Sequence, residues 1–271
     1  MPSRPSIDQR FPAPSVMGVI NVTPDSFSDG GVHLRVEAAV TAAWGMLDAG
    51  AAIVDVGGES TRPGSEGVTA EEELRRVETV VADLGGAPVS IDTSKAAVAR
   101  RVLDLGAELV NDVTALRSDP ELAGVVADAC CYLCLMHMQG EPRTMQVAPA
   151  YDDVVSDVKR FLEERLAFAV ASGVREDLIC LDPGIGFGKT VAHNFELIRR
   201  LPELAELGRP ILIGVSRKSS LGTLTGTPTG TVAASVGAAV AAYDRGASII
   251  RAHDVRDHVE ALAAARAVAA T

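Results

Sequence analysis

The chain has 271 residues and a formal net charge of −11, from 25 Lys and Arg against 36 Asp and Glu, so its overall field repels nucleic acid and anionic membrane surfaces. No apolar run reaches the ~18 residues that a spanning helix needs, and residues 1–14 are polar and proline-rich without an apolar signal core. A soluble, cytoplasmic protein whose ligands are small molecules is expected, and its length suits one (β/α)8 barrel, which takes about 250 residues.

Residues 1–14 read as a flexible N-terminal extension and 15–271 as a single barrel domain. Through that domain, short β-branched runs alternate with longer Ala-, Leu- and Glu-rich stretches, the mark of parallel βαβ units. Strands are predicted at 16–21, 53–56, 89–92, 109–112, 130–137, 178–182, 211–215 and 249–253, with helices near 35–49, 70–83, 95–105, 119–128, 153–172, 193–200, 230–245 and 256–268. One junction recurs: Gly50-Ala51-Ala52-Ile53-Val54-Asp55, Gly106-Ala107-Glu108-Leu109-Val110-Asn111 and Gly246-Ala247-Ser248-Ile249-Ile250-Arg251 each place a helix-ending glycine before a buried strand that stops on a polar residue. Eight such units argue for closure into a (β/α)8 TIM barrel, an α/β fold.

Three of the four cysteines lie in the run Cys130-Cys131-Tyr132-Leu133-Cys134. Cys131 and Cys134 have redox or zinc spacing, but neither a helix start nor a second ligand pair accompanies them, so they read as small buried strand residues. Cys180 and Trp44 are likewise expected in the core.

The predicted strand ends carry Asn21, Asp55 with Glu59, Asp92, Asn111 with Asp112, His137, Asp182, Ser216 to Lys218, and Arg251 with His253 and Asp254. A barrel gathers these onto its C-terminal face, where barrel enzymes place their chemistry. Helix capping would account for Asp or Asn there, but poorly for Lys218 and Arg251. The loops 22–31 and 57–64, rich in Gly, Ser, Thr and Asp, are of a kind that closes over a ligand.

The densest chemical stretch is Ile179-Cys180-Leu181-Asp182-Pro183-Gly184-Ile185-Gly186-Phe187-Gly188-Lys189-Thr190. A strand buried on both faces runs into Asp182 and must stop there, because Pro183 has no N–H for the ladder. A carboxylate is thereby held at a strand mouth, followed by glycines that allow close backbone approach to a ligand. A phosphate loop would need glycine where Pro183 stands, and the glycine spacing at 184, 186 and 188 is not that of a dinucleotide fingerprint.

Taken together and in order, Met17 to Gly31, Asp55 to Gly64, Ser90-Ile91-Asp92-Thr93, Asn111-Asp112, Leu135-Met136-His137, Asp182 to Lys189, Ser216-Arg217-Lys218-Ser219 and Arg251-Ala252-His253-Asp254-Val255 resemble the dihydropteroate synthases. These are pterin-binding barrel enzymes of folate biosynthesis inhibited by sulfonamides, and the resemblance covers nearly the whole chain. It implies a transferase in which the amine of p-aminobenzoate displaces pyrophosphate from 6-hydroxymethyl-7,8-dihydropterin diphosphate, giving 7,8-dihydropteroate. It further implies that Asp182, Asp92 and Asn111 read the donor-rich pterin edge, that Lys218 meets its acceptor side, and that Arg251 lies on the ring face. Asn21, Arg251 and His253 match the diphosphate site, with Mg2+ at Asn21. Thr61, Arg62, Pro63, Phe27, Phe187 and Ser219 match the p-aminobenzoate pocket. Asp92, Lys218, Arg251 and His253 are the implied catalytic set, and a homodimer is implied as well.

The segment 221–230 is short and uncharged where the family commonly has a longer one, often with an arginine, which bears on that loop's packing and on the dimer contact. Two other readings compete. A methyltetrahydrofolate:corrinoid methyltransferase shares the pterin-binding barrel but would not need the Ser-Thr-Arg-Pro loop or the Arg-x-His pair. A non-catalytic pterin-binding paralogue should have lost the first loop, the Asp182 turn or Ser216-Arg217-Lys218, all of which are present.

Overall fold

The computed structural model describes residues 4–23, 32–61, 64–141 and 143–270. Among them, parallel strands β1 (Ser15–Asn21), β2 (Ile53–Gly57), β3 (Val89–Asp92), β4 (Leu109–Asp112), β5 (Tyr132–Met136), β6 (Ile179–Asp182), β7 (Ile211–Ile213) and β8 (Ala247–Ala252) close into one barrel in sequence order. The connecting helices are α1 (Ile7–Arg10) before the first strand, then α2 (Val32–Asp48), α3 (Ala70–Asp83), α4 (Ala96–Asp104), α5 (Leu122–Ala129), α6 (Val154–Ala171), α7 (Val191–Arg199), α8 (Leu201–Ala205), α9 (Ser219–Thr225), α10 (Val232–Tyr243) and α11 (Val255–Ala269). The (β/α)8 architecture is the one expected.

Side chains alternate along each strand, and the two faces have separate fates. Val54, Val56, Ile91, Val110, Leu133 and Leu181 pack outward with the helices in one large core. Met17, Ile53, Leu109, Tyr132, Cys134, Cys180, Leu212 and Ile249 form a second core inside the barrel. Advancing two residues along the same inward rows turns Ile53 into Asp55, Leu109 into Asn111, Cys180 into Asp182 and Ile249 into Arg251. The barrel therefore has an apolar floor and a polar mouth. Each Ile or Leu of the floor contributes about 1.5–3 kcal/mol by its burial, and that rigid base holds the mouth residues in place.

The stretch 1–14, expected to be a flexible extension, contributes Ile7 and Phe11 to the floor. The Phe11 ring meets Tyr132 edge-on with centroids 5.5 Å apart. Tyr132 Oη donates to the Pro5 carbonyl at 3.1 Å, and Arg10 Nε donates to Glu108 at 3.1 Å. The apolar residues in that stretch are spaced four apart, which puts both on one side of a single helical turn. The repeated junction takes the left-handed form its glycines permit, with φ of 100°, 106° and 103° at Gly50, Gly106 and Gly246.

Three local differences have simple causes. Trp44 is 41% exposed, not core: Ala39 and Ala43 supply the inward face of α2, and the next residue is rotated about 100° away from them. Cys130 does not join β5 but ends α5 in a left-handed conformation at φ 49°, whereas Cys131, Cys134 and Cys180 are buried as expected. The helix expected near 193–200 starts at Val191, with Thr190 as its cap, and gives way at Arg200 to the short α8, which carries Pro202 in its first turn.

Candidate active site

Asp55 lies at the centre of one half of the mouth. It is fully buried on β2, where its strand register sets it beside Ser90. Its Oδ1 accepts from Ser90 Oγ at 2.6 Å, and its Oδ2 accepts from both Asn111 Nδ2 at 2.9 Å and Arg251 Nε at 2.7 Å. A second donor of the same guanidinium, Arg251 Nη2, reaches Asp92 Oδ2 at 2.9 Å. The strand ends of β2, β3, β4 and β8 are thus tied by charge-assisted hydrogen bonds that orient Asn111, Asp92 and Arg251 as a unit.

The other half is the turn after β6. Asp182 is buried, and its Oδ1 accepts from the Gly184 backbone at 2.7 Å. Gly184 has a φ of +69°, and a β-carbon there would overlap the His137 carbonyl oxygen, so the turn can pass the end of β5 only with glycine. The Lys218 side chain lies across Gly186, where a β-carbon would stand 3.5 Å from its Nζ, and that Nζ is 4.4 Å from the centroid of the Phe187 ring. Asn194 of α7 is buried and accepts from the Gly186 backbone at 2.8 Å.

Between these halves the β7 turn is tied to the end of β8. Arg217 takes a left-handed φ of 55°, held by its backbone N–H donating to Ser235 Oγ at 2.9 Å and by Nε donating to Asp254 at 3.0 Å. The His253 backbone donates to Ser216 Oγ at 3.1 Å, and its Nδ1 lies 3.1 Å from the same oxygen. The Ser216 hydroxyl can also give its proton to Nδ1, and in the tautomer that accepts it Nε2–H is left as a donor.

The charges of the two halves act on one another. Burial pushes the Asp92 carboxyl up to about 7, against the pull of Arg251. It also raises Asp182, opposed by the Gly184 hydrogen bond and Lys218. Burial brings the Lys218 ammonium down to about 8, with Asp182 opposing it and Arg251 and Asp92 also within reach. The Arg251 guanidinium is disfavoured by burial but raised overall by Asp55 and Asp92. Burial and the neighbouring Arg251 hold His253 down to about 4, so it is neutral at pH 7. Acids that resist ionisation beside a lysine ready to lose its proton are what a buried mouth for a polar ring produces.

Asp92, Asn111, Asp182, Lys218, Arg251 and His253 therefore meet in one hollow. Asn21 ends β1 at the same rim, half-buried, with its carboxamide hydrogen-bonded to no described residue. Thr61 is half-buried, and Ser219 opens α9 exposed to solvent beside Lys218. Phe27, Arg62 and Pro63 lie outside the described residues. Among the described residues no three His, Cys, Asp or Glu gather as a metal cage. One carboxamide oxygen at the rim fits an ion such as Mg2+, which keeps most of its waters and takes few protein oxygens when a diphosphate supplies the rest.

Several positioning groups carry no role in the sequence reading. Asp55 was legible as a strand-end acid, and its inward phase two residues after Ile53 was the signal for its place. Lys95 donates to Glu59 at 2.7 Å and to the buried Glu73 at 2.6 Å, bracing the start of the second loop. Its partners are 36 and 22 residues away, and nothing local in the sequence pairs them.

The model of the pterin binding enzyme family matches residues 17–253. The chain is 46% identical to the dihydropteroate synthase of Escherichia coli (strain K12) over 253 residues, 92% of this chain and 89% of that one. Among solved structures, the dihydropteroate synthase of Xanthomonas albilineans with 4-aminobenzoic acid is 48% identical with a TM-score of 0.90, covering 96% of this chain and 95% of that one. A structure of the X. albilineans enzyme in complex with 7,8-dihydropteroate is 46% identical with a TM-score of 0.87, at the same coverage of 96% and 95%. A closed barrel whose polar mouth is built from the matched segments, together with these similarities over nearly the full length, makes the chain a member of the dihydropteroate synthase family of pterin-binding enzymes.

Proposed function

We propose that this chain is a dihydropteroate synthase, a transferase that joins 6-hydroxymethyl-7,8-dihydropterin diphosphate to p-aminobenzoate with release of pyrophosphate. The observation that carries this reading is the hollow shared by Asp92, Asn111, Asp182, Lys218 and Arg251, in which the buried Asp182, the partly buried Asp92 and a carboxamide face a lysine and a guanidinium. A pterin edge presents N–H donors beside acceptors, so carboxylates, Asn111 and Lys218 match it group for group, and the planar guanidinium of Arg251 matches the ring face.

Binding the ring fixes the 6-methylene carbon at the rim, where Arg251, Asn21 and the neutral His253 N–H receive the diphosphate. The C–O bond breaks with its electron pair leaving on pyrophosphate, and stabilising that departing charge is the main catalytic demand. Asp92, ionised, favours the positive charge left on the pterin methylene. The amine of p-aminobenzoate then forms the C–N bond with its lone pair and loses a proton to solvent or pyrophosphate. It is neutral near pH 7, so positioning by Thr61, Arg62, Pro63, Phe27, Phe187 and Ser219 replaces a strong base. Mg2+ at Asn21, when bound, supplies countercharge to the pyrophosphate.

The reaction takes place in the cytoplasm on this reading, in keeping with four free cysteines and with the lack, among the described residues, of a helix long and apolar enough to cross a membrane. A homodimer is proposed through α10, which is apolar almost throughout yet buries only Ser235, Ala239 and Ala242 within the chain.

The test is to supply both substrates and identify the product by mass. One species containing the pterin and p-aminobenzoate is expected. Methyl transfer from methyltetrahydrofolate to a corrinoid, with no such condensation product, would reject the assignment.

A further inference from the structure

Lys189 is almost wholly buried, and the reading above assigns it no contact with substrate. Its Nζ lies 2.8 Å from His137 Nδ1, 3.0 Å from the Phe187 carbonyl and 3.5 Å from the His137 carbonyl. Burial brings Lys189 down to about 7; in its ammonium form it has three donors and no acceptor, and these three acceptors take all of them. His137 Nδ1 must then be bare and its proton on Nε2. Its ring is held in that orientation by the edge-to-face contact with Phe161, centroids 4.8 Å apart. The His137 backbone also donates to the Asp182 carbonyl at 2.9 Å.

A buried ion is a poor way to add stability, since an apolar side chain of the same volume does as well or better. What an ammonium does and a methionine cannot is pull three particular oxygen and nitrogen atoms to one point. Here two of the acceptors belong to the end of β5 and one to the carbonyl of Phe187, in the turn that carries Asp182 and lies under Lys218.

We infer that Lys189, with His137 as its acceptor, is a positioning residue that fixes the Asp182 to Phe187 turn for ring recognition, separately from the diphosphate side of the mouth. The inference rests on the pterin-site reading above. The diphosphate side hangs on different ties, from Asp55 to Arg251 and from Ser216 to His253. Loosening the turn therefore affects the ring end of the substrate and spares the phosphate end.

The test is calorimetric binding of the pterin diphosphate and of inorganic pyrophosphate to the wild type, K189M, H137L and H137N. K189M and H137L are expected to weaken the pterin diphosphate by about tenfold or more, with pyrophosphate within about twofold of wild type. H137N keeps an acceptor, Oδ1, close to the place of Nδ1 and is expected to stay within about threefold on both ligands. Should K189M fail to fold, the contrast between H137L and H137N decides. Ring affinity unchanged in K189M, an equal loss for both ligands, or H137N as poor as H137L overturns the role given to Lys189. A wild type that does not bind the pterin diphosphate overturns the pterin-site reading and this inference with it, whereas wild-type binding that survives K189M overturns the inference alone.

Discussion

Arg251 is held to Asp55 through Nε at 2.7 Å, and Asn111 shares the same carboxylate oxygen at 2.9 Å. This buried acid thus sets the angle of the guanidinium proposed for the ring face and of the carboxamide proposed for the ring edge. Asp55→Asn keeps the size but leaves the Arg251 charge without its nearest counter-ion. A loss of about 2–3 kcal/mol in urea denaturation and about 10- to 100-fold in affinity for the pterin diphosphate are expected. Affinity within twofold of wild type would show that Asp55 orients nothing the ligand uses.

Asp182 is expected to carry the largest share of ring recognition, because its carboxylate is buried at a strand mouth and, among the described residues, only one of its oxygens accepts a hydrogen bond, from Gly184. Asp182→Ala should remove most pterin diphosphate affinity, at least about 100-fold, since ring donors would be left unpaired in a buried site. Isothermal calorimetry measures this, and unchanged binding rejects the assignment.

Burial brings Lys189, beneath the Asp182 turn, down to about 7, but of the groups moved toward neutrality Asp92 and Lys218 are the two proposed to face the ligand, and the pH profile follows from them. Burial places Asp92 at about 7, so the ionised form needed opposite the pterin methylene builds up as pH rises through that value. Burial places Lys218 at about 8, so its ammonium is lost as pH rises further. The profile of kcat/KM should be a narrow bell with its acid limb set by Asp92 and its alkaline limb by Lys218. Asp92→Asn should lower turnover about 100-fold or more and erase the acid limb. Stability gives an independent check. The folded value lies above the unfolded 3.8, so the contribution of Asp92 is fully present below that value and is lost as pH rises through about 7. The stability difference between wild type and Asp92→Asn should change over that window and be flat above it.

Chelation bears on the ion proposed at Asn21. With excess chelator turnover should fall by at least about tenfold and return when Mg2+ is restored, and Asn21→Ala should need more Mg2+ to reach half of its own maximal rate. Full activity in excess chelator removes the metal from the mechanism.

Where the sequence marks a strand at both ends, the reading and the structure coincide to the residue. β3 runs from Val89 to Asp92 and β4 from Leu109 to Asp112 because each is a short buried run closed by a polar side chain at the mouth. Asp182 was legible for the same reason, with Pro183 as the stop. Trp44 was not, because helix phase decides its face: the two alanines that α2 buries fix which side looks inward, and tryptophan's size says nothing about that. Ile7 and Phe11 were hidden because the floor they fill exists only once the barrel has closed. The pairing of Lys189 with His137, 52 residues apart, arises from the close passage of the β6 turn over the end of β5, which no local pattern reports. Chemistry at strand ends was readable. The ties that aim it were not.

Pyrophosphate release from the pterin diphosphate, followed in the presence and absence of p-aminobenzoate, tests the central claim most directly. Sustained release that depends on p-aminobenzoate and matches, mole for mole, the dihydropteroate formed is expected. Release at the same rate without the amine, or no release with both substrates and Mg2+ present, would contradict it.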